Sequence, residues 1–147
     1  MIFATLIFNL FLAVSSIDKF DVTGTYSLTR HGQPNSTIWS TTTLKVNCDS
    51  TVVVHRRTHG GQRTWEGFWT VKKDTLTINL KPIVTEDGKQ YLGSWENVNQ
   101  FLIRKNRLTP FVTMINGKEI NDENLLERLN RSLKKDRYKK INEKKCS

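Results

Sequence analysis

Histidines and catalytic motifs are scarce in this sequence of 147 residues, and their scarcity excludes several classes of protein. The three histidines are His31, His55 and His59. Arg56 and Arg57 lie between the last two and disfavour a bound cation. The sequence has no Gly-x-Ser-x-Gly, His-Glu-x-x-His or glycine-rich phosphate loop. We therefore expect no metal, no cofactor and no enzymatic activity, and the absence of nucleic-acid motifs leads us to expect no nucleic-acid partner.

Long hydrophobic runs are also rare, because only residues 2–14 form one. A bilayer span needs about 20 residues, so this run is too short to cross a membrane. It has the length of a signal-peptide core, and Ala13-Val14-Ser15 supplies small residues for cleavage. We predict a signal peptide at residues 1–16, a secreted or periplasmic protein and no transmembrane span in the mature chain. The alternatives are an uncleaved anchor and a hydrophobic first strand.

Cysteine occurs only twice, at Cys48 and Cys146, which excludes a disulfide-dense scaffold. An even count behind an export signal predicts one disulfide in an oxidising compartment. Two sequons begin at Asn35 and Asn130, and they matter only in a eukaryotic secretory pathway.

The net charge of +9 is concentrated near the end of the sequence. Residues 128–145 hold nine Lys and Arg against Asp136 and Glu143. Two interpretations remain open: a solvated helix end, or contact with an anionic polymer, lipid or nucleic acid.

Period-two alternation dominates the middle of the chain and predicts antiparallel strands. The period changes near residue 122, where Leu125, Leu126, Leu129 and Leu133 form a helical stripe that Asn121 or Asp122 can cap. We predict a helix from about residue 122 to residue 139 and a loose tail after it. The fold class is mainly β, with a single antiparallel up-and-down β-barrel of 7–8 strands at residues 17–117. Residues 118–147 form one C-terminal amphipathic helix with a basic tail, and we expect a monomer.

Two tryptophans flank a glycine in WEGFWTV at residues 65–71. Trp65, Gly67 and Trp69 share one face of a strand, and a glycine there indicates a bend or a close approach of the backbone. The rings are either core or the wall of a cavity, since an eight-stranded barrel can just hold one small ligand. In the second interpretation the ligand-binding residues are Tyr26, Trp39, Trp65, Trp69 and Trp95.

Four segments carry a resemblance to bacterial lipocalin-like (calycin-type) envelope barrels, which are distantly similar to the barrels of copper-resistance lipoproteins. These segments are Gly24 to Leu28, Leu44 to Thr51, Gly67 to Val71 and Asp74 to Ile78. The resemblance implies an up-and-down barrel that is exported to the periplasm or beyond.

We therefore expect a barrel that binds a small apolar or amphipathic ligand. One alternative is a protein-binding barrel, such as a hydrolase inhibitor, that uses loops at residues 31–37 and 56–63. Another is an envelope-surface factor that docks on an anionic envelope polymer through its basic helix.

Overall fold

A computed structural model describes residues 22–31, 39–84, 86, 90–91, 99–115 and 118–147. The described chain is mainly β-strand with one helix. The strands are β1 (Gly24–His31), β2 (Trp39–Val46), β3 (Thr51–Thr58), β4 (Gly61–Lys72), β5 (Thr75–Leu80), β6 (Ile83–Val84), β7 (Gln90–Tyr91), β8 (Gln100–Arg104), β9 (Arg107–Phe111), β10 (Met114–Ile115), β11 (Lys118–Glu119) and β12 (Tyr138–Glu143), and helix α1 (Glu123–Leu133) precedes β12. The predicted signal peptide and most of the loop at residues 31–37 lie outside the described residues.

Eight strands close into an antiparallel barrel in the order β1-β12-β9-β8-β5-β4-β3-β2. The remaining strands form two short ribbons, β6 with β7 and β10 with β11. The predicted barrel of 7–8 strands with one C-terminal helix is confirmed.

The last strand of the barrel lies after the helix, where we predicted a loose tail. Helix α1 ends at Leu133 rather than near residue 139, and β12 pairs with both β1 and β9. The predicted tail is therefore wrong. Residues 138–143 belong to the barrel, so the boundary at residue 117 does not separate the barrel from the rest of the chain.

Alternate residues of each strand point into the barrel and form its core. The interior side chains include Leu44, Val54, Ile78 and Phe101, all buried. Phe68 lies between two interior positions of β4 and is 50% exposed. This is the outward orientation that the period-two pattern predicts for it.

Gly67 lies where β4 passes very close to β5. A Cβ atom there would lie 2.1 Å from Asn79 O and 2.8 Å from Leu80 Cα. The close approach predicted from a glycine between two tryptophans is confirmed.

Three tight turns and a disulfide lie at one end of the barrel, which we call the disulfide end. Each turn contains one non-glycine residue with positive φ, and these residues are Ser50, Lys73 and Asn106. Cys48 and Cys146 form the predicted disulfide, with their Cα atoms 5.7 Å apart. The bond ties the chain after β12 to the turn between β2 and β3.

Helix α1 is capped and docked by side chains rather than buried. Asp122, one of the two predicted caps, accepts a hydrogen bond from Leu125 N–H at 3.1 Å. Asn130 accepts from Val112 N–H at 2.8 Å and donates to Val112 O at 3.0 Å. None of the helix residues is fully buried. Within the described ranges, no helix has the length and apolar character that a bilayer crossing requires.

Candidate ligand-binding site in the barrel

The interior of the barrel changes from apolar to polar along its axis. At the disulfide end, β3 turns Val52 and Val54 inward, and both are completely buried. Farther along β3, the same inward face carries Arg56 and Thr58. On β2 the inward face changes from Leu44 to Thr42. The half of the interior near the disulfide end is therefore apolar, and the half away from it contains polar groups.

Tyr26 and Trp69 belong to the apolar half and are anchored to the backbone. Tyr26 is 2% exposed, and its hydroxyl donates to Val22 O at 2.8 Å. Trp69 is 1% exposed, and its Nε1 donates to Asn47 O at 2.9 Å. Burial, followed by the nearby Glu143 carboxylate, raises the pKa of Tyr26 far above its usual range. These contacts give both rings a core role at the disulfide end.

Trp65 lies at the level where the apolar and polar halves meet. It is 3% exposed and sits directly opposite Val54 on β3. In the next pair of the same alternation, Arg56 is partly buried and Arg63, opposite it, is exposed. The indole Nε1 of Trp65 is shielded from solvent and meets no hydrogen-bond acceptor among the residues that the structure describes. A buried N–H group without an acceptor costs about 1–3 kcal/mol.

Trp39 does not join the interior tryptophans. It is half-buried on the outer face of β2, and the Arg57 guanidinium lies 5.6 Å from its ring centroid. This geometry is a cation–π contact between neighbouring strands. The expectation that Trp39 lines the interior is therefore wrong, and Trp95 lies outside the described residues.

Sequence analysis missed three polar interior residues: Thr42, Arg56 and Tyr138. Thr42 and Tyr138 are buried, and the Tyr138 hydroxyl forms a hydrogen bond with the Thr42 side chain. Burial is the main cause that raises the pKa of Tyr138, opposed in part by Arg30. Arg56 could have been found from its even spacing after Val52 and Val54. Tyr138 could not, because we assigned it to the helix.

We call Thr42, Arg56 and Tyr138 the polar layer, and an ion pair lies beside it. Arg30 Nε donates to Asp136 Oδ1 at 3.0 Å, and the two side chains also share a second contact. Asp136 lies two residues before Tyr138, so the pair helps to hold the start of β12 against β1. Its carboxylate offsets one of the cations near Tyr138.

The described part of the chain holds no group of three or more His, Cys, Asp or Glu side chains that could bind a metal ion. His55 Nδ1 instead lies 2.9 Å from Thr64 Oγ1 across β3 and β4.

No protein-family model, curated protein or solved structure matches this chain.

Proposed function

We propose that the barrel is an exported, lipocalin-like protein that binds a small amphipathic molecule in its interior. The observation that carries the proposal is the buried indole N–H of Trp65, which lies at the boundary between the apolar and polar halves and has no acceptor in the described part of the chain. The closed barrel of eight strands supports the proposed kinship, because barrels of this size enclose one small ligand. The disulfide supports export, because such bonds persist in oxidising compartments.

The polar half of the interior would contact the polar group of the ligand. Trp65 offers a buried N–H donor, and Arg56, two residues beyond the Val54 that faces Trp65, brings a partly buried guanidinium group to the same face of β3. Donors in a water-poor interior favour a hydrogen-bond acceptor, and an anionic acceptor most strongly. The apolar part of the ligand would contact the aromatic and aliphatic side chains nearest to Trp65. Buried polar groups that are few and convergent are typical of such sites.

Dodecanoate and dodecanol test this function, because they share a chain length and differ in the charge of the polar group. We expect dodecanoate to quench tryptophan fluorescence at saturation and to bind at least tenfold more tightly than dodecanol. Titration calorimetry at pH 7.5 gives both dissociation constants. The Trp65→Phe variant removes the N–H group and keeps an aromatic ring, and we expect it to bind dodecanoate about threefold to tenfold more weakly.

Trp69→Phe is the matched control, because the indole N–H that it removes is already bonded to Asn47 O. We expect it to lower stability by about 1 kcal/mol and to leave dodecanoate affinity unchanged. The function would be refuted if neither compound bound the parent protein. It would also be refuted if both variants lost affinity equally, since the effect would then be loss of packing.

A further inference from the structure

The outer wall near the disulfide end carries three cations in adjacent, directly opposed positions. Arg104 on β8 lies opposite Arg107 on β9, and Arg107 lies opposite Lys139 on β12. All three side chains are exposed, while their neighbours Ile103 and Leu108 point into the core. We call Arg104, Arg107 and Lys139 the basic row.

The basic row opposes the stability of the barrel. Like charges directly opposite one another in an antiparallel pair are destabilising, and the row contains two such pairs. The Asp74 carboxylate lies 3.2 Å from the Arg104 guanidinium, but both groups are about half exposed, so this contact contributes little. No carboxylate among the described residues pairs with Arg107 or Lys139. An arrangement that weakens the fold in this way is expected where an external anion supplies the missing charge.

A cleft of about 300 Å³ opens beside the row and shares Arg104 with it. Its rim carries Lys105 and Lys140 as well as Arg104, against one carboxylate, that of Glu143. The cleft forms where β12 separates from β9, because the two strands are in register only at Tyr138 opposite Leu108 and Lys139 opposite Arg107. The row and the cleft together form one continuous region of positive charge on the barrel surface.

We propose that the basic row and its cleft bind a linear anionic polysaccharide, with charged groups along the row and one substituent in the cleft. Neighbouring strands are about 4.8 Å apart, so the three cations span roughly 10 Å around the barrel wall. A linear polymer can follow such a curved row, whereas a flat lipid surface meets only part of it. Single-stranded nucleic acids are bound through exposed aromatic platforms. The exposed large apolar side chains in the described ranges are Phe68, Val84, Met114 and Ile141, and of these only Ile141 lies on a strand of the row.

The proposal places the polymer site on residues of the barrel wall rather than on the basic helix that the sequence indicated. It is separate from the interior ligand site at Trp65, because the row is on the outer face and the cleft is lined by Tyr26, Ile103 and the turn at Asn106 near the disulfide end. Loss of polymer binding would leave binding of the interior ligand intact, and the reverse.

A heparin oligosaccharide of defined length tests the proposal by titration at several salt concentrations. The double variant Arg107→Gln/Lys139→Gln removes two cations of the row. Lys118→Gln/Arg128→Gln removes two exposed cations from β11 and α1 and leaves the same net charge. We expect the row variant to bind at least tenfold more weakly and the control at most threefold more weakly. The slope of log affinity against log salt should fall by about two for the row variant alone, because each cation contact contributes about one.

Two further probes separate the polysaccharide from other anionic partners. Vesicles with 30% phosphatidylserine in phosphatidylcholine represent a lipid surface, and a single-stranded oligonucleotide represents nucleic acid. We expect both to bind more weakly than the oligosaccharide and to respond equally to the two double variants. Equal loss of oligosaccharide binding in both variants would overturn the proposal, because net charge alone would then explain the affinity. Tighter, row-dependent binding of vesicles or oligonucleotide would overturn it in favour of that partner.

Thermal unfolding shows whether the row variant folds. Removal of two mutually repelling cations should leave the melting temperature unchanged or raise it. A lower melting temperature in the row variant than in the control would contradict the argument that the row opposes folding.

Discussion

At Gly67 a single added methyl group would collide with the neighbouring strand. The atoms that its Cβ would meet belong to the β5 backbone, so they cannot move without separating β4 from β5. We expect Gly67→Ala to lower the free energy of unfolding by about 1–3 kcal/mol, as overpacking of an interior does. Urea denaturation measures the change.

Gly60→Ala is the control for this substitution. Gly60 lies in the turn between β3 and β4, and the nearest atom to its Cβ would be Thr58 Oγ1 at 4.0 Å. We expect a change of no more than about 0.5 kcal/mol there. If the two variants were equally stable, the close approach at Gly67 would be wrong.

The inward orientation of Trp65 and Trp69 could be predicted from alternation alone. Which indole N–H finds a hydrogen-bond acceptor could not. Trp65 and Trp69 occupy equivalent inward positions of β4, four residues apart. One indole N–H meets Asn47 O and the other meets no acceptor, and this difference depends on where a turn between two other strands falls. The sequence around Trp65 and Trp69 does not specify how far each indole N–H lies from that turn.

At the level of elements, Asn130 joins helix α1 to the barrel as a strand residue would. Its amide oxygen and nitrogen satisfy both backbone groups of Val112, which is buried. We expect Asn130→Ala to destabilise the protein by roughly 2 kcal/mol, because buried backbone groups then lose their partners. Hydrogen exchange of α1 and the adjoining end of β9 should accelerate.

Asn124 lies exposed on the same helix and provides the matched substitution. Asn124→Ala should leave exchange unchanged or slow it slightly, because alanine is the better helix former. Equal acceleration in both variants would contradict this role of Asn130, because Asn124→Ala leaves the bonds to Val112 intact.

The strand β12 was missed for a specific reason. Its apolar residues are Tyr138 and Ile141, and a spacing of three is typical of a helix rather than a strand. The pairing with β1 is irregular at this point, because Tyr26 is opposite Lys140 and Thr25 is opposite Asn142. Ile141 is therefore an extra residue in a bulge, and a bulge shifts the alternation by one. The other seven strands of the barrel follow the period of two, and they were predicted from it.

For the whole molecule, the disulfide anchors the end of β12, the strand that forms the shortest seam of the barrel. β12 meets β9 through two registered residue pairs, whereas β3 meets β4 through eight. The Cys48→Ser/Cys146→Ser variant should lose up to about 4 kcal/mol of stability, from the entropy of a loop of this length. Hydrogen exchange should rise most in β12 and least in β3 and β4.

An internal comparison decides this prediction. Peptides from β3 and β4 report on a seam of eight registered pairs whose strands contain neither cysteine. A uniform rise in exchange across all eight strands would contradict the interpretation that the bond protects one seam.

Because β1 bonds to β12, the barrel cannot close until its last strand has been synthesised. One edge of β1 stays unpaired until β12 has emerged. An unpaired edge is a template for pairing with another chain. Translation or export that stalls after β9 would release a sheet with two unpaired borders, prone to association with other nascent chains. The completed barrel has no such border, so its solubility during biogenesis depends on the arrival of six residues, Tyr138–Glu143.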